Sequence, residues 1–439
     1  MPGTAIESAI PGACTRIRSK DMNRQQDFYR SSVCDKSLFL IRASLVSHRR
    51  THIRRYCMQF LLEGLYAVTW QQLILYPVGI FLIWLAVKKE YEPSLLLPMG
   101  FGTILVNLPF SGVLDQMVQG TVPAAGIIEW LYKVGISSSE MMPLLLFIGI
   151  GAMIDFGPLL SQPFFFLFSA AAQFGIFAAI LIACLLGFDL RDAVSIGIIG
   201  AADGPTSILV SQVLESRYIG PIAVAAYSYM ALVPIIQPMA IKLVTTKKER
   251  QIRMSYRPKH ISKATRIAFP VAVTIIVGFL SPQSVSLVGF LMFGNLLREC
   301  GVLNSLSQSA QHELVNLITL LLGITISFSM RAEVFVTVQT LLIMGIGLLA
   351  FFFDTIAGVL FAKLMNLLLR IAGKPPVNPM IGACGISAFP MSSRVVQKLA
   401  SEAQKGNVIL MQAAGTNAAG QIASVLAGGL VISLVSQYL

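Results

Sequence analysis

Gly200-Ala201-Ala202-Asp203-Gly204-Pro205-Thr206 is the stretch that decides how this chain is read. It lies between two apolar runs, 193–199 and 208–214. A carboxylate placed there belongs inside a membrane, where an Asp costs roughly 2.5–3.5 kcal/mol on insertion scales. Gly204-Pro205 directly after it breaks the helix, because proline lacks an N–H and clashes with the preceding turn. A broken helix with an acid at the break is a way membrane proteins build ion sites. Freed carbonyls and a carboxylate supply the oxygen ligands that hard cations prefer. The alternative is that Asp203 only caps the second half-helix.

Composition sets the surroundings. Hydrophobic residues make up 55% of 439 and charged residues 12%, about half the charge of a soluble domain. This predicts an all-α polytopic membrane protein, with room for roughly ten spans of about 20 residues. Of the net charge of +12, residues 1–57 hold +7, and the other 382 residues only +5. That is ordinary for the cytoplasmic loops of a membrane protein and does not call for nucleic acid. Cys14, Cys34 and Cys57 lie in the leader; Cys184, Cys300 and Cys384 lie in or beside apolar segments, with no C-x-x-C. Neither a zinc site nor a disulfide framework follows.

Residues 1–57 are polar and basic, and Arg42 interrupts their one apolar run, 38–46. They are read as a disordered leader and a start-site artefact, with Met58 the working start; a basic tail that binds membrane lipid is the alternative. Hydropathy predicts spans at about 71–87, 95–110, 142–153, 164–186 and 219–244, a broken segment at 193–214 and an amphipathic, interfacial or re-entrant piece at 120–139. The stretch 245–264 is rich in Lys and Arg, among them Lys247, Lys248, Arg250 and Lys263. It is the linker between membrane halves 58–244 and 265–439, and positive-inside places it in the cytoplasm.

After the linker the pattern starts again. Tyr76-Pro77-Val78 is echoed by Phe269-Pro270-Val271, Phe101-Gly102 by Phe293-Gly294, Gly149-Ile150 by Gly323-Ile324, and Ile199-Gly200-Ala201-Ala202 by Ile381-Gly382-Ala383-Cys384. Four collinear echoes point to an internal duplication. Two repeats of inverted topology with broken, re-entrant helices imply an ion site where they meet. The counterpart of the Asp203 break is 378–387. Asn378 can cap a half-helix with Pro379 at its first position, Gly382 permits close backbone approach, and Ser387 offers a hydroxyl. Capping alone also explains Asn378 and Ser387. Arg394 could reach an anion at the break or snorkel at a helix end. Asp155 reads as the end of a span, and Asp354 as a helix join. Tyr229 lies within a span, where packing with one hydrogen bond is the usual role.

With these residues in view, the chain resembles the beta subunits of the sodium-pumping biotin-dependent decarboxylases, of oxaloacetate, methylmalonyl-CoA, glutaconyl-CoA and malonate types. The resemblance covers 59–439. It rests on GAMIDFGPLL (151–160), AAQFGIFAA (171–179), IGAADGPTSI (199–208), AAYSYMALVPIIQP (225–238), AKLMNL (362–367) and NPMIGACGISAFPMSSRV (378–395). One departure is Thr416, where the family pattern has proline. The resemblance implies a membrane subunit that decarboxylates carboxybiotin and couples this to sodium export. The cation is sodium, and the biotin rides on a partner. The implied partners are an alpha carboxyltransferase subunit, a biotin carrier protein or domain and a small gamma/delta membrane subunit, at the inner membrane of a prokaryote. By position, it implies catalytic roles for Asp203, Tyr229, Ser387 and Arg394, and sodium ligation by Asp203, Asn378, Gly382 and Ser387. No G-x-x-x-x-G-K-[ST] loop and no Met-Lys-Met site occur. A secondary sodium/proton antiporter or a sodium-coupled carboxylate transporter is the competing reading.

Overall fold

The computed structural model describes residues 63–116, 124–138, 141–255, 260–435 and 437. Contacts divide the chain after Ala67, and the membrane unit is Val68–Leu439. The leader 1–57 and the expected start at Met58 lie outside the described residues.

Among the described residues the unit is helical apart from a two-residue antiparallel bridge, Asp115–Gln116 with Ala124–Ala125. Helix α1 (Trp70–Lys89) starts from a reciprocal capping box of Thr69 and Gln72. It ends on Lys88 and Lys89, whose charge suits the negative end of a helix. Then come α2 (Pro93–Asn107) and α3 (Ile127–Tyr132), which runs on as a π-turn to Ser137. Helix α4 (Met141–Met153) leaves that pair at 64°. Next are α5 (Gly157–Ser161), α6 (Phe165–Ala171) and α7 (Phe174–Leu185). The first break consists of α8 (Leu190–Gly197), a 3-10 turn (Ile198–Ala201) and α9 (Gly204–Val213). Helix α10 (Ile219–Val244) leads to the short linker helix α11 (Lys247–Arg250).

The second half begins with α12 (Lys263–Leu280), α13 (Val285–Glu299), α14 (Asn304–Ser309) and α15 (Val315–Ile326). After α16 (Ala332–Phe335) comes the long α17 (Val338–Ile371). A 3-10 segment (Pro379–Gly385), α18 (Met391–Ala403) and α19 (Leu410–Val435) complete it.

Among the described residues, seven helical stretches are long and apolar enough to cross a membrane, or eight if the bent pair is one span. The expected count of roughly ten is not matched exactly by these candidates. Hydropathy counts apolar runs, but α2 and α13 have 15 residues each. At ~1.5 Å per residue such a helix covers about 22 Å of a hydrocarbon core about 30 Å thick. The first break is divided into pieces of 8, 4 and 10 residues, each too short to span. The chain is a multi-pass membrane protein whose shorter helices pair or pack behind the full spans.

Helix α19 forms the centre. Its most apolar window is 78% buried, against 61% for α10 and only 28% and 11% for α1 and α12, which line the outside. Helix α2 packs on α15, and α13 on α4. At the latter crossing, a side chain at Gly151 would strike the Leu291 carbonyl, and one at Gly294 the Ile148 carbonyl. Such close backbone contact drives helix association in lipid, where burying apolar side chains gains nothing. Asp354 marks no helix join: α17 runs through it unbroken for 34 residues. Asp155 does end α4; its carboxylate accepts the Gly157 N–H at 2.8 Å.

Candidate functional site

The first break is built by local chemistry. The 3-10 turn stops at Ala202, which takes a left-handed conformation at φ 52°. That is unfavourable for a residue with a Cβ and is tolerated where surrounding structure enforces it. Asp203 returns to extended backbone and occupies the N-cap of α9, with Pro205 in the first turn. Its carboxylate makes no side-chain capping bond. Instead Oδ2 accepts the hydroxyls of Thr206 at 2.7 Å and of Ser424, on α19, at 3.0 Å. The group is buried, 5% exposed. Asp203 therefore has the position of a cap, while its carboxylate gathers hydroxyls from two helices.

The second break meets the first at its far end. The Ser387 N–H donates to the Ala201 carbonyl at 3.1 Å, and its hydroxyl lies 3.5 Å from the Ala202 carbonyl, within hydrogen-bonding reach of the Asp203 carboxylate. Asn378 is at the other end. Its amide oxygen accepts the Met380 N–H at 3.1 Å, and its NH2 donates to the Arg250 and Ile252 carbonyls at 3.1 and 2.9 Å. Between them, seven residues of 3-10 helix cover about 14 Å at ~2.0 Å per residue. The structure thus brings Asp203 and Ser387 together, while the Asn378 amide bonds its own turn and the linker carbonyls. Gly382 faces α17: a side chain there would strike the Gly358 carbonyl.

Three buried carboxamides hold the second break. Gln237, on α10, donates to the Ala383 carbonyl at 2.8 Å; Gln173, between α6 and α7, to Gly385 at 3.2 Å; and Asn417, on α19, to Ile386 at 2.8 Å. The oxygen of each amide is buried and has no hydrogen-bond partner among the described residues. These oxygens are neutral, of the kind that ligate hard cations.

The family described as Na+-transporting oxaloacetate decarboxylase beta subunit matches residues 71–435. This chain belongs to that family. Among similar proteins, the methylmalonyl-CoA decarboxylase subunit beta of Propionigenium modestum is 44% identical over 388 residues, covering 84% of this chain and 96% of the relative. The glutaconyl-CoA decarboxylase subunit beta of Acidaminococcus fermentans is 44% identical over 373 residues, covering 85% and 96%. The oxaloacetate decarboxylase beta chain of Klebsiella pneumoniae is 41% identical over 417 residues, covering 83% and 95%.

In this beta subunit the two tyrosines of the Tyr227-Ser228-Tyr229 stretch point apart, since two residues are about 200° on a helix. The Tyr229 hydroxyl donates to the Met344 carbonyl of α17. Tyr227 is the one against Gly204: its ring occupies the space a side chain there would take, and its buried hydroxyl has no partner among the described residues. Phenylalanine substitutions separate the two. Tyr229→Phe is expected to cost about 1 kcal/mol of stability with near-normal turnover. Tyr227→Phe is expected to keep or raise the melting temperature and to cut turnover roughly 100-fold, as loss of a proton-transfer group does. Melting curves and decarboxylation rates of both variants check this, and the reverse pattern would return the break to Tyr229.

Arg394 lies with Arg298 and Ser393 on a cavity of about 290 Å³, whose apolar lining includes Pro158, Phe389 and Met411. Arg298 donates to the Met153 carbonyl at 2.8 Å. The one acid on the lining, Asp155, lies 3.8 Å from Arg266, and Arg298 lies 3.7 Å from Glu299. Sequence reasoning missed Arg298, Tyr227, Ser424 and the three amides. The signal for the amides was present: a polar side chain isolated in an apolar run is costly unless it has a task.

Proposed function

We propose that this beta subunit decarboxylates carboxybiotin presented by a partner protein and uses that reaction to export sodium. The observation that carries the reading is the junction of the two breaks, where Ser387 bonds to Ala201 beside a buried Asp203. Moving one charge against 100 mV costs about 2.3 kcal/mol, so export needs an exergonic partner reaction. The chain has no nucleotide-binding P-loop sequence to supply it. Family membership favours this over a stand-alone antiporter or carboxylate transporter.

The residues present fit the absent group. A carboxylated ring system needs an apolar floor and a cation for the carboxylate, and the cavity at Arg298 and Arg394 has both. Carboxybiotin, when bound, supplies a carbamate that loses CO2 once its nitrogen takes a proton. Arg394 would hold the carboxylate and Arg298 would reinforce the field. Asp203 would ligate sodium as the anion and accept a proton when sodium leaves. Thr206, Ser424 and Ser387 would keep the carboxylate oriented in both states. The biotin would come on a carrier protein or domain, charged by an alpha carboxyltransferase subunit, with a small gamma/delta subunit beside it in the inner membrane of a prokaryote. Linker 245–264 would face the cytoplasm. The halves 58–244 and 265–439 would be inverted repeats; the crossings α2–α15 and α13–α4, each joining helices of different halves, support this.

Arg394→Lys tests the cavity. An ammonium keeps the charge but not the two-pronged contact. Losing a charge-assisted bond of about 1.5–3 kcal/mol should slow decarboxylation roughly 10- to 100-fold, with the sodium dependence unchanged. Rates measured with the complete complex in vesicles decide it; a full wild-type rate would remove carboxybiotin from this cavity.

A further inference from the structure

Helix α17 places a second carboxylate beside the first break. Asp354 is the seventeenth of its 34 residues, near the middle of the longest membrane helix, and is 0% exposed. Its Oδ1 accepts the N–H of Gly175, in the first turn of α7. Its Oδ2 has no hydrogen-bond partner among the described residues. That oxygen faces Gly200, where a Cβ would lie 2.7 Å from it and 2.9 Å from the Ala350 methyl. A side chain at Gly175 would likewise strike Oδ1. Two glycines on two other elements therefore make the slot that the carboxyl fills. One turn further on, Gly358 of the same helix touches Gly382 of the second break. Successive turns of α17 thus touch both breaks, and the acid touches the one that carries Asp203.

We propose that Asp354 is a second acidic site of the pump, holding a proton rather than sodium; this rests on the pumping reading above. A sodium ion is surrounded by several oxygens, whereas Oδ2 faces Gly200, with the Ala350 methyl bordering the same space. An ionised oxygen with no partner in such a place is expensive, and the neutral acid is not. When the carboxyl ionises, the Oδ2–H bond breaks, the proton goes to the decarboxylation reaction, whose biotin nitrogen takes one up, and the Gly175 N–H stays on Oδ1. A proton from the opposite aqueous side then restores the acid. Gly200, three residues before Asp203, is the backbone through which the change in charge is felt at the sodium site.

The simpler role for Asp354 is to satisfy the N–H groups of Gly175 and Ile176 at the start of α7. Asp354→Asn separates the two, because the amide keeps the shape and an acceptor for those N–H groups while losing the proton. Asp354→Ala loses both. The complete complex in vesicles is assayed for decarboxylation, sodium uptake and melting temperature. The beta subunit is also examined by infrared spectroscopy for the carbonyl stretch of a protonated carboxylic acid. The expected result is a carboxylic-acid band in the wild type that Asp354→Asn lacks and Asp203→Asn keeps. It comes with a roughly 100-fold loss of turnover in Asp354→Asn at an unchanged melting temperature. Full turnover in Asp354→Asn with loss only in Asp354→Ala would make Asp354 a helix cap and overturn the proposal. An unchanged infrared spectrum in Asp354→Asn would overturn it too, whatever the rate. If the wild type decarboxylates without sodium, the pumping reading fails instead, and the infrared band still reports on Asp354.

Discussion

Asp203→Asn is expected to abolish sodium-dependent decarboxylation while leaving the protein folded. Asparagine has nearly the same shape and keeps an oxygen for the Thr206 and Ser424 hydroxyls. What it loses is the charge. A unit-charge pair 4 Å apart is worth about 4 kcal/mol at an effective dielectric of 20, and each 1.36 kcal/mol is tenfold in rate. Turnover at a fixed sodium concentration should therefore fall more than about 100-fold. Stability should hold or rise, since a buried charge has been removed. Decarboxylation by the assembled complex, beside a melting curve of the variant, measures both. Wild-type turnover with unchanged sodium dependence would remove Asp203 from the site.

Gly382→Ala is expected to have the largest structural effect. The Gly382 and Gly358 backbones are so close that a methyl on either would strike the carbonyl of the other. Neither partner is a side chain that can swing aside. Overpacking costs about 1–3 kcal/mol even where side chains can adjust, and this contact lies at the upper end. The contact also fixes the second break on α17, and Ser387 follows five residues later in chain order. Loss of folded complex, or a lower melting temperature with weakened turnover, is the expected outcome in a thermal and activity assay. Gly345→Ala, on the same helix, is the control: a methyl there meets nothing within 4 Å and should be harmless. Equal behaviour of the two variants would show that the close contact does not matter.

The two breaks were legible because their chemistry is local. An acid followed by Gly-Pro, and Asn-Pro followed by glycines, interrupt helices wherever they occur. That they meet was legible from the collinear echoes between the halves, and the Ser387–Ala201 bond joins them. Which end of the second break does the meeting was not. A 3-10 segment looks compact in sequence, yet it separates Asn378 from Ser387 by most of its length. The choice between Tyr227 and Tyr229 was also hidden. Both sides of α10 are apolar and packed, so no polar face tells which tyrosine points at the break. The exact number of spans was not legible, because hydropathy does not register where an apolar run bends or stops short. Asp354 was misread for a related reason: a lone acid in an apolar run looks like a boundary until the helix is seen to pass through it.

The most direct test of a sodium site at the junction is the sodium-activation curve of decarboxylation for Ser424→Ala and Ser387→Ala, in vesicles holding the complete complex. Each hydroxyl is a neutral group at the Asp203 carboxylate. Losing one such bond, about 0.5–1.5 kcal/mol, should raise the half-activating sodium concentration roughly twofold to tenfold, with the maximal rate nearly unchanged. An unaltered half-activating concentration in both variants would contradict a sodium site at Asp203.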